Sequence, residues 1–187
     1  MRLSVTPLTV LVSFLLSSFL GMSRINQPQS VCDVLRNIGQ SRGKVITVRG
    51  IYHADYHGTV LEGKDCGERI QLDGADWPVA IHLQSASYYL DEEEAQVKIP
   101  FSPDHRAIAK IEDSINRALQ ENPSAQIRLS VTGLLIAPEK YPTASEQRRG
   151  VKVGFGHGNK LPAELIVKNY AALVLIKNPS TPPSTRP

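Results

Sequence analysis

His53, Asp55 and His57 occupy alternate positions of one segment, and two imidazoles with a carboxylate are a donor set that transition metals accept. Alternation places all three on one side of an extended chain. The outer two then lie about 13 Å apart at roughly 3.3 Å per residue, too far for one ion unless the hairpin curls. His82 or His157, brought from elsewhere, would be needed to complete such a site. The competing expectation is an ordinary polar outer face beside a turn.

A second stretch, Gly154-Phe-Gly-His-Gly-Asn-Lys160, concentrates glycine and ends on a base. A phosphate-cradling loop of the G-x-x-x-x-G-K-[ST] type leads into a helix. A dinucleotide loop lies between a strand and a helix. Here Lys160 is followed by Leu-Pro and then an apolar, strand-like run. The glycines therefore read as residues supplying positive φ to a turn before a strand. His157 reads as a member of that turn that hydrogen-bonds backbone. There is no Gly-x-Ser-x-Gly elbow and no evident pair of acid–base carboxylates, so no catalytic residue is assigned.

The two cysteines, Cys32 and Cys66, are expected to form a disulfide, because a signal-like segment precedes them. Arg2 leads into an apolar run from Pro7 to Leu20, short for a membrane span and suited to a signal peptide. Small residues place its end near Ser23, and 24–29 reads as a linker. The chain is thus expected to be exported, periplasmic or extracellular. Its net charge of +3 falls to +2 without the first 23 residues, since only Arg2 is charged there. That is too mild to demand a polyanionic partner.

These residues need a scaffold. Ser30 to Gly39 has the capping residue, apolar spacing and terminal glycine of a short helix. Val45 to His57 alternates as a long strand, with Ile46, Val48, Gly50, Tyr52, Ala54 and Tyr56 on one side and a mid-strand bend expected at Gly50. Strand segments follow at 59–62, with 69–72 resuming the pairing, and at 78–83. The run Asp91–Glu94 reads as a solvated acidic face. Ser102-Pro103 reads as the start of a helix whose stripe is Ile108, Ile111, Ile115 and Leu119, ended by Asn122-Pro123. Strands at 126–136 and 164–176, the latter interrupted near Asn169, complete the set, and 178–187 reads as a disordered tail. A bent first strand and a helix between the third and fourth strands match a five-stranded Greek-key barrel of the OB-like type, spanning 30–177 with a short N-terminal helix.

Cys32-Asp-Val-Leu, Gly43-Lys-Val-Ile-Thr-Val-Arg-Gly50, Cys66, Gly154-Phe-Gly-His157 and Pro162-Ala-Glu-Leu-Ile-Val167 resemble a group of small secreted bacterial proteins of uncharacterised function. The resemblance covers about residues 30–176. It implies export and an OB-like barrel, and it supplies no activity.

In OB-folds the loop between the fourth and fifth strands often lines the ligand groove. Its counterpart here, 138–162, carries Lys140, Arg148, Arg149, Lys152, His157 and Lys160 as the candidate binding residues. Glu139 and Glu146 offset part of the charge. The leading expectation is an exported, non-enzymatic binding module for an unknown envelope ligand or protein, with no cofactor. A metal-assisted hydrolase using the outward histidines ranks second. Single-stranded nucleic-acid binding ranks last, because aromatic platforms are scarce and Tyr52 and Tyr56 face the expected core. Membrane association is expected only through an uncleaved signal segment.

Overall fold

The computed structural model describes residues 27–55, 58–87, 97–151 and 153–176. The signal segment, the start of the linker, His57, Lys152, the acidic run 91–94 and the tail lie outside the described residues.

The linker ends one residue earlier than expected. Gln29 already belongs to β1 (Gln29–Ser30), which runs parallel to β2 (Val45–Asp55) with Gln29 opposite Val48. Ser30 caps α1 (Val31–Arg36) by accepting from the Asp33 N–H at 3.0 Å. Val31, Val34 and Leu35 are fully buried on the predicted face. The expected stop at Gly39 is corrected. Asn37 closes α1, its backbone and side-chain N–H groups both reaching the Asp33 carbonyl, and Gly39 lies inside α2 (Ile38–Ser41). The chain turns at Gly43, where φ is +71°.

After β2 come β3 (Gly58–Glu62), β4 (Arg69–Leu72), β5 (Ala75–Pro78) and β6 (Ala80–Ser85). Next are α3 (His105–Glu121), β7 (Gln126–Ile136), α4 (Ala144–Arg148) and β8 (Ala163–Ile176). The main sheet runs β1-β2-β3-β6-β8-β7, and β2 also pairs with β7, so five strands close on themselves. Within that ring only β6 and β8 are parallel. This is an OB-like barrel with its helix between the third and fourth barrel strands. Its interior holds Val48, Leu61, Ile81, Leu129, Val131 and Leu165, all with 0 % exposure. At roughly 25 cal/mol per Å² of apolar area, burial of such side chains contributes about 2 kcal/mol each.

Ile115 and Ala118 of α3 join this core, with Ile108, Ile111 and Leu119 packed at its margin, as the stripe predicts. The helix starts later than Ser102-Pro103: Asp104 is the cap, because its carboxylate accepts from the Ala107 N–H at 2.9 Å. Asn122 ends it as expected. The irregularity near Asn169 is real. Ala171 and Lys168 are skipped in the pairing with β7, so Asn169 and Tyr170 sit between two bulges.

One pairing differs from expectation. Residues 69–72 do not rejoin the first hairpin but form a separate two-stranded sheet with β5. The tight Asp73-Gly74 turn, with φ of +50° and +79°, folds β4 onto its immediate successor. Trp77 of this hairpin packs edge-on against Tyr141 of the 138–162 connection, with ring centroids 5.3 Å apart. The predicted disulfide is present: Cys32 of α1 joins Cys66 at the end of a short turn, Lys64–Cys66, with α-carbons 5.9 Å apart. Val31 presses on Gly50, where a β-carbon would lie 2.8 Å from its Cγ2, and Val31 and Cys32 crowd Gly63, where a β-carbon would lie 3.0 and 3.1 Å from them.

Candidate functional site under the long connection

Strand register assembles a set of residues that no local window contains. His53 on β2 pairs with Val60 on β3, Val60 with His82 on β6, and His82 with Glu164 on β8. Four strands thus contribute one row. The row lies on the outer face of the wall, because its β6 neighbours Ile81 and Leu83 belong to the barrel core and side chains alternate.

His82 and Glu164 are nevertheless only 9 % and 5 % exposed. They are covered by the 138–162 connection, which several contacts tie down. The Tyr141 hydroxyl donates to the Pro162 carbonyl at 2.8 Å, and its backbone N–H donates to Asp73 Oδ2 at 2.7 Å. Burial, and then the Asp73 charge, raise the Tyr141 phenol well above its ordinary range. Thr143 and Glu146 form a capping box at the start of α4. Hydrogen bonds from the Thr143 backbone and hydroxyl hold the Glu146 carboxyl below its usual range. An isolated bridge between Phe155 and Leu161 closes the last loop, with the turn His157–Asn159 at its tip.

His82 Nδ1 lies 2.8 Å from Glu164 Oε2. A carboxylate offers only acceptors, so Nδ1 donates to it and Nε2 is left for other work. Two glycines flank the ring. Gly58, with φ +129°, approaches so closely that a β-carbon there would lie 3.0 Å from Nε2. Gly156, with φ +68°, would place a β-carbon 3.4 Å from Cδ2. Both backbones need the left-handed side of φ, and both lie where a side chain would meet the imidazole.

Beside the ring is a cavity of about 180 Å³ lined by His53, Val60, His82, His157, Lys160 and Leu161, with Gly58 at its edge. A second cavity of about 390 Å³, bordered by Arg69, Trp77 and Gln147, shares Lys160 with the first.

The candidate residues read from the sequence divide accordingly. His157 and Lys160 reach the cavity, and so does His53. Lys140, Arg148 and Arg149 are exposed and line neither of these cavities. Asp55 is the last residue of β2, while His57 and Lys152 lie outside the described residues. Among the described residues no group of three or more His, Cys, Asp or Glu side chains is disposed to hold a metal ion. The glycine-rich stretch forms the expected turn, and it also walls the cavity. Glu164 is absent from the candidates drawn from sequence. The available signal is a polar residue inside an apolar strand: Glu164 in Ala-Glu-Leu-Ile-Val and His82 in Val-Ala-Ile-His-Leu.

No protein-family model, curated protein or solved structure matches this chain. Among the described residues no helix is long and apolar enough to cross a membrane.

Proposed function

We propose that this chain is an exported binding module that receives an anionic group of an envelope ligand in the histidine cavity. The observation that carries this reading is the buried His82–Glu164 pair on the outer barrel wall. A buried polar couple is weak as a stabilising device, since apolar side chains of similar volume serve as well or better. Its placement favours a ligand role. The cavity is lined by Gly58 at the start of β3 and by His157, Lys160 and Leu161 of the connection before β8, and that connection is one with which OB-folds hold ligands. Lys160 and the imidazoles supply donors, and the carboxylate is turned toward His82. The disulfide supports an oxidising compartment. The resemblance to small secreted bacterial proteins belongs to the same proposal.

Titration with inorganic phosphate, followed through the imidazole NMR signals, tests this reading. Saturable shifts of the His82 ring, lost in Lys160→Ala, are expected. Shifts confined to the exposed bases of 138–151, with His82 unmoved, would overturn it.

A further inference from the structure

We propose that the outer edge of β8 pairs with the same edge of a second copy of this chain, joining two barrels across a two-fold axis. This pairing is independent of what the histidine cavity binds.

β8 outruns one of its two neighbours. Against β7 it pairs from Glu164 to Ile176, but against β6 only from Ala163 to Val167. Among the described residues no further strand lies along that side of β8. Nor does any backbone hydrogen bond other than those with β7 reach 169–176. A strand with one free side presents N–H and C=O groups that another strand can take up.

The side chains leave this edge open. Ala171-Ala-Leu-Val-Leu-Ile176 contains neither the charged residues nor the proline with which exposed edges are blunted. The bulge at Ala171 precedes the segment, and Ala172–Ile176 runs in regular register with β7. Ala171 and Ala172 are exposed, and Val174 and Leu175 are 54 % and 50 % exposed. Leu175 lies opposite the core residue Ile127 and Val174 opposite Arg128, so the two side chains stand on opposite faces of the sheet. Anything laid on one face would leave the other uncovered. A strand beside the edge covers both.

A second copy supplies that strand because the segment complements itself. Antiparallel partners about a two-fold axis set residues of the same sheet face opposite one another. With the axis at Val174, the middle of the regular segment, Val174 meets Val174 of the partner subunit. Leu173 then meets Leu175 of the partner subunit, and Ala172 meets Ile176 of the partner subunit. Every such pair is apolar and no like charges face each other, the condition under which cross-strand pairs stabilise a sheet. A ladder this short makes a small interface, so the association is weak and concentration-dependent.

Sedimentation velocity of the purified protein tests the pairing. The mass should rise to a plateau at twice that of the chain between about 1 and 500 μM, the range of a small interface. In the dimer the amides of Ala172–Ile176 should exchange more slowly than in dilute protein. Val174→Lys sets like charges opposite each other and should weaken association about 10-fold or more. An equimolar mixture of Val174→Lys and Val174→Asp should regain the dimer, which a misfolded variant would not do. Val151→Lys, at an apolar side chain 46 % exposed on the 138–162 connection, should leave the dimer intact. A mass fixed at one chain over the whole range would overturn the pairing, and slow exchange of Ala172–Ile176 in that monomer would give the edge to another segment of the same chain. Growth past two copies without a plateau would also overturn it, as would a dimer that Val174→Lys leaves unchanged.

Discussion

Gly58 and His82 meet so closely that a single added carbon on the glycine would lie 3.0 Å from the imidazole Nε2. Gly58→Ala should therefore push the ring out of line and weaken phosphate binding about 10-fold or more, roughly 1.4 kcal/mol or more. Gly67→Ala is the matched control, since Gly67 also has positive φ, +88°, with no neighbour within 4 Å. Each substitution should cost about 1–3 kcal/mol in backbone strain. Only the first should alter affinity in an isothermal titration.

The His82–Glu164 couple should serve the site at the expense of stability. Glu164→Leu alone leaves His82 without its buried partner and should cost about 3–5 kcal/mol in chemical denaturation. The double variant His82→Leu/Glu164→Leu should recover most of that loss while binding stays abolished. A double variant as unstable as the single one would show that the couple is a structural requirement.

Reducing the Cys32–Cys66 bond should destabilise the protein by about 3–4 kcal/mol, because a covalent loop of this size restricts the unfolded chain. For a domain of this length that corresponds to a Tm roughly 10 °C lower. Calorimetry of the intact protein with and without reductant reads it directly. Titration of two free thiols in untreated, folded protein would contradict the cross-link.

Alkaline titration should separate the tyrosines. Burial raises Tyr141, Tyr170 and Tyr52 above their ordinary range, followed by the charge of Asp73 for Tyr141 and of Glu112 for Tyr170. For Tyr52 a hydrogen bond with Thr59 works in the opposite direction. A raised folded-state value stabilises the fold fully below the unfolded tyrosine range, near pH 10. That contribution is lost as pH climbs through the folded value. The phenolate absorbance of Tyr141 and Tyr170 should thus appear together with unfolding. Tyr141→Phe should remove one late-titrating phenol and, by leaving the Pro162 carbonyl without its donor, cost about 1–2 kcal/mol.

The barrel was legible in the sequence because each element carries its own local signature. The alternation of Val45–Asp55, the stripe Ile108, Ile111, Ile115 and Leu119, and the interruption at Asn169 are each written within a few residues. The separate β4–β5 hairpin was less legible. Asp73-Gly74 marks a turn, but nothing local states which partner the flanking strands take. The site was less legible again. Spacing along one strand groups His53 with Asp55 and His57, whereas register groups it with Val60 and His82. Those partners are fixed by the sum of many pairings around the closed sheet. Likewise the bases of the 138–162 connection look alike in sequence. Only its fold, anchored by Tyr141 and by the Phe155–Leu161 bridge, sets the exposed Lys160 at the cavity and leaves Arg148 and Arg149 away from it.

His82 sits in sequence between Ile81 and Leu83, both packed inside the barrel. A slip of β6 by one residue would drive the imidazole into the lumen and expel both aliphatic side chains to the outer wall. Misassembly of the chemistry is thereby forbidden by the same energy that forms the hydrophobic interior. The cavity wall is checked as the chain folds, and a molecule that has reached its native state holds no scrambled version of it.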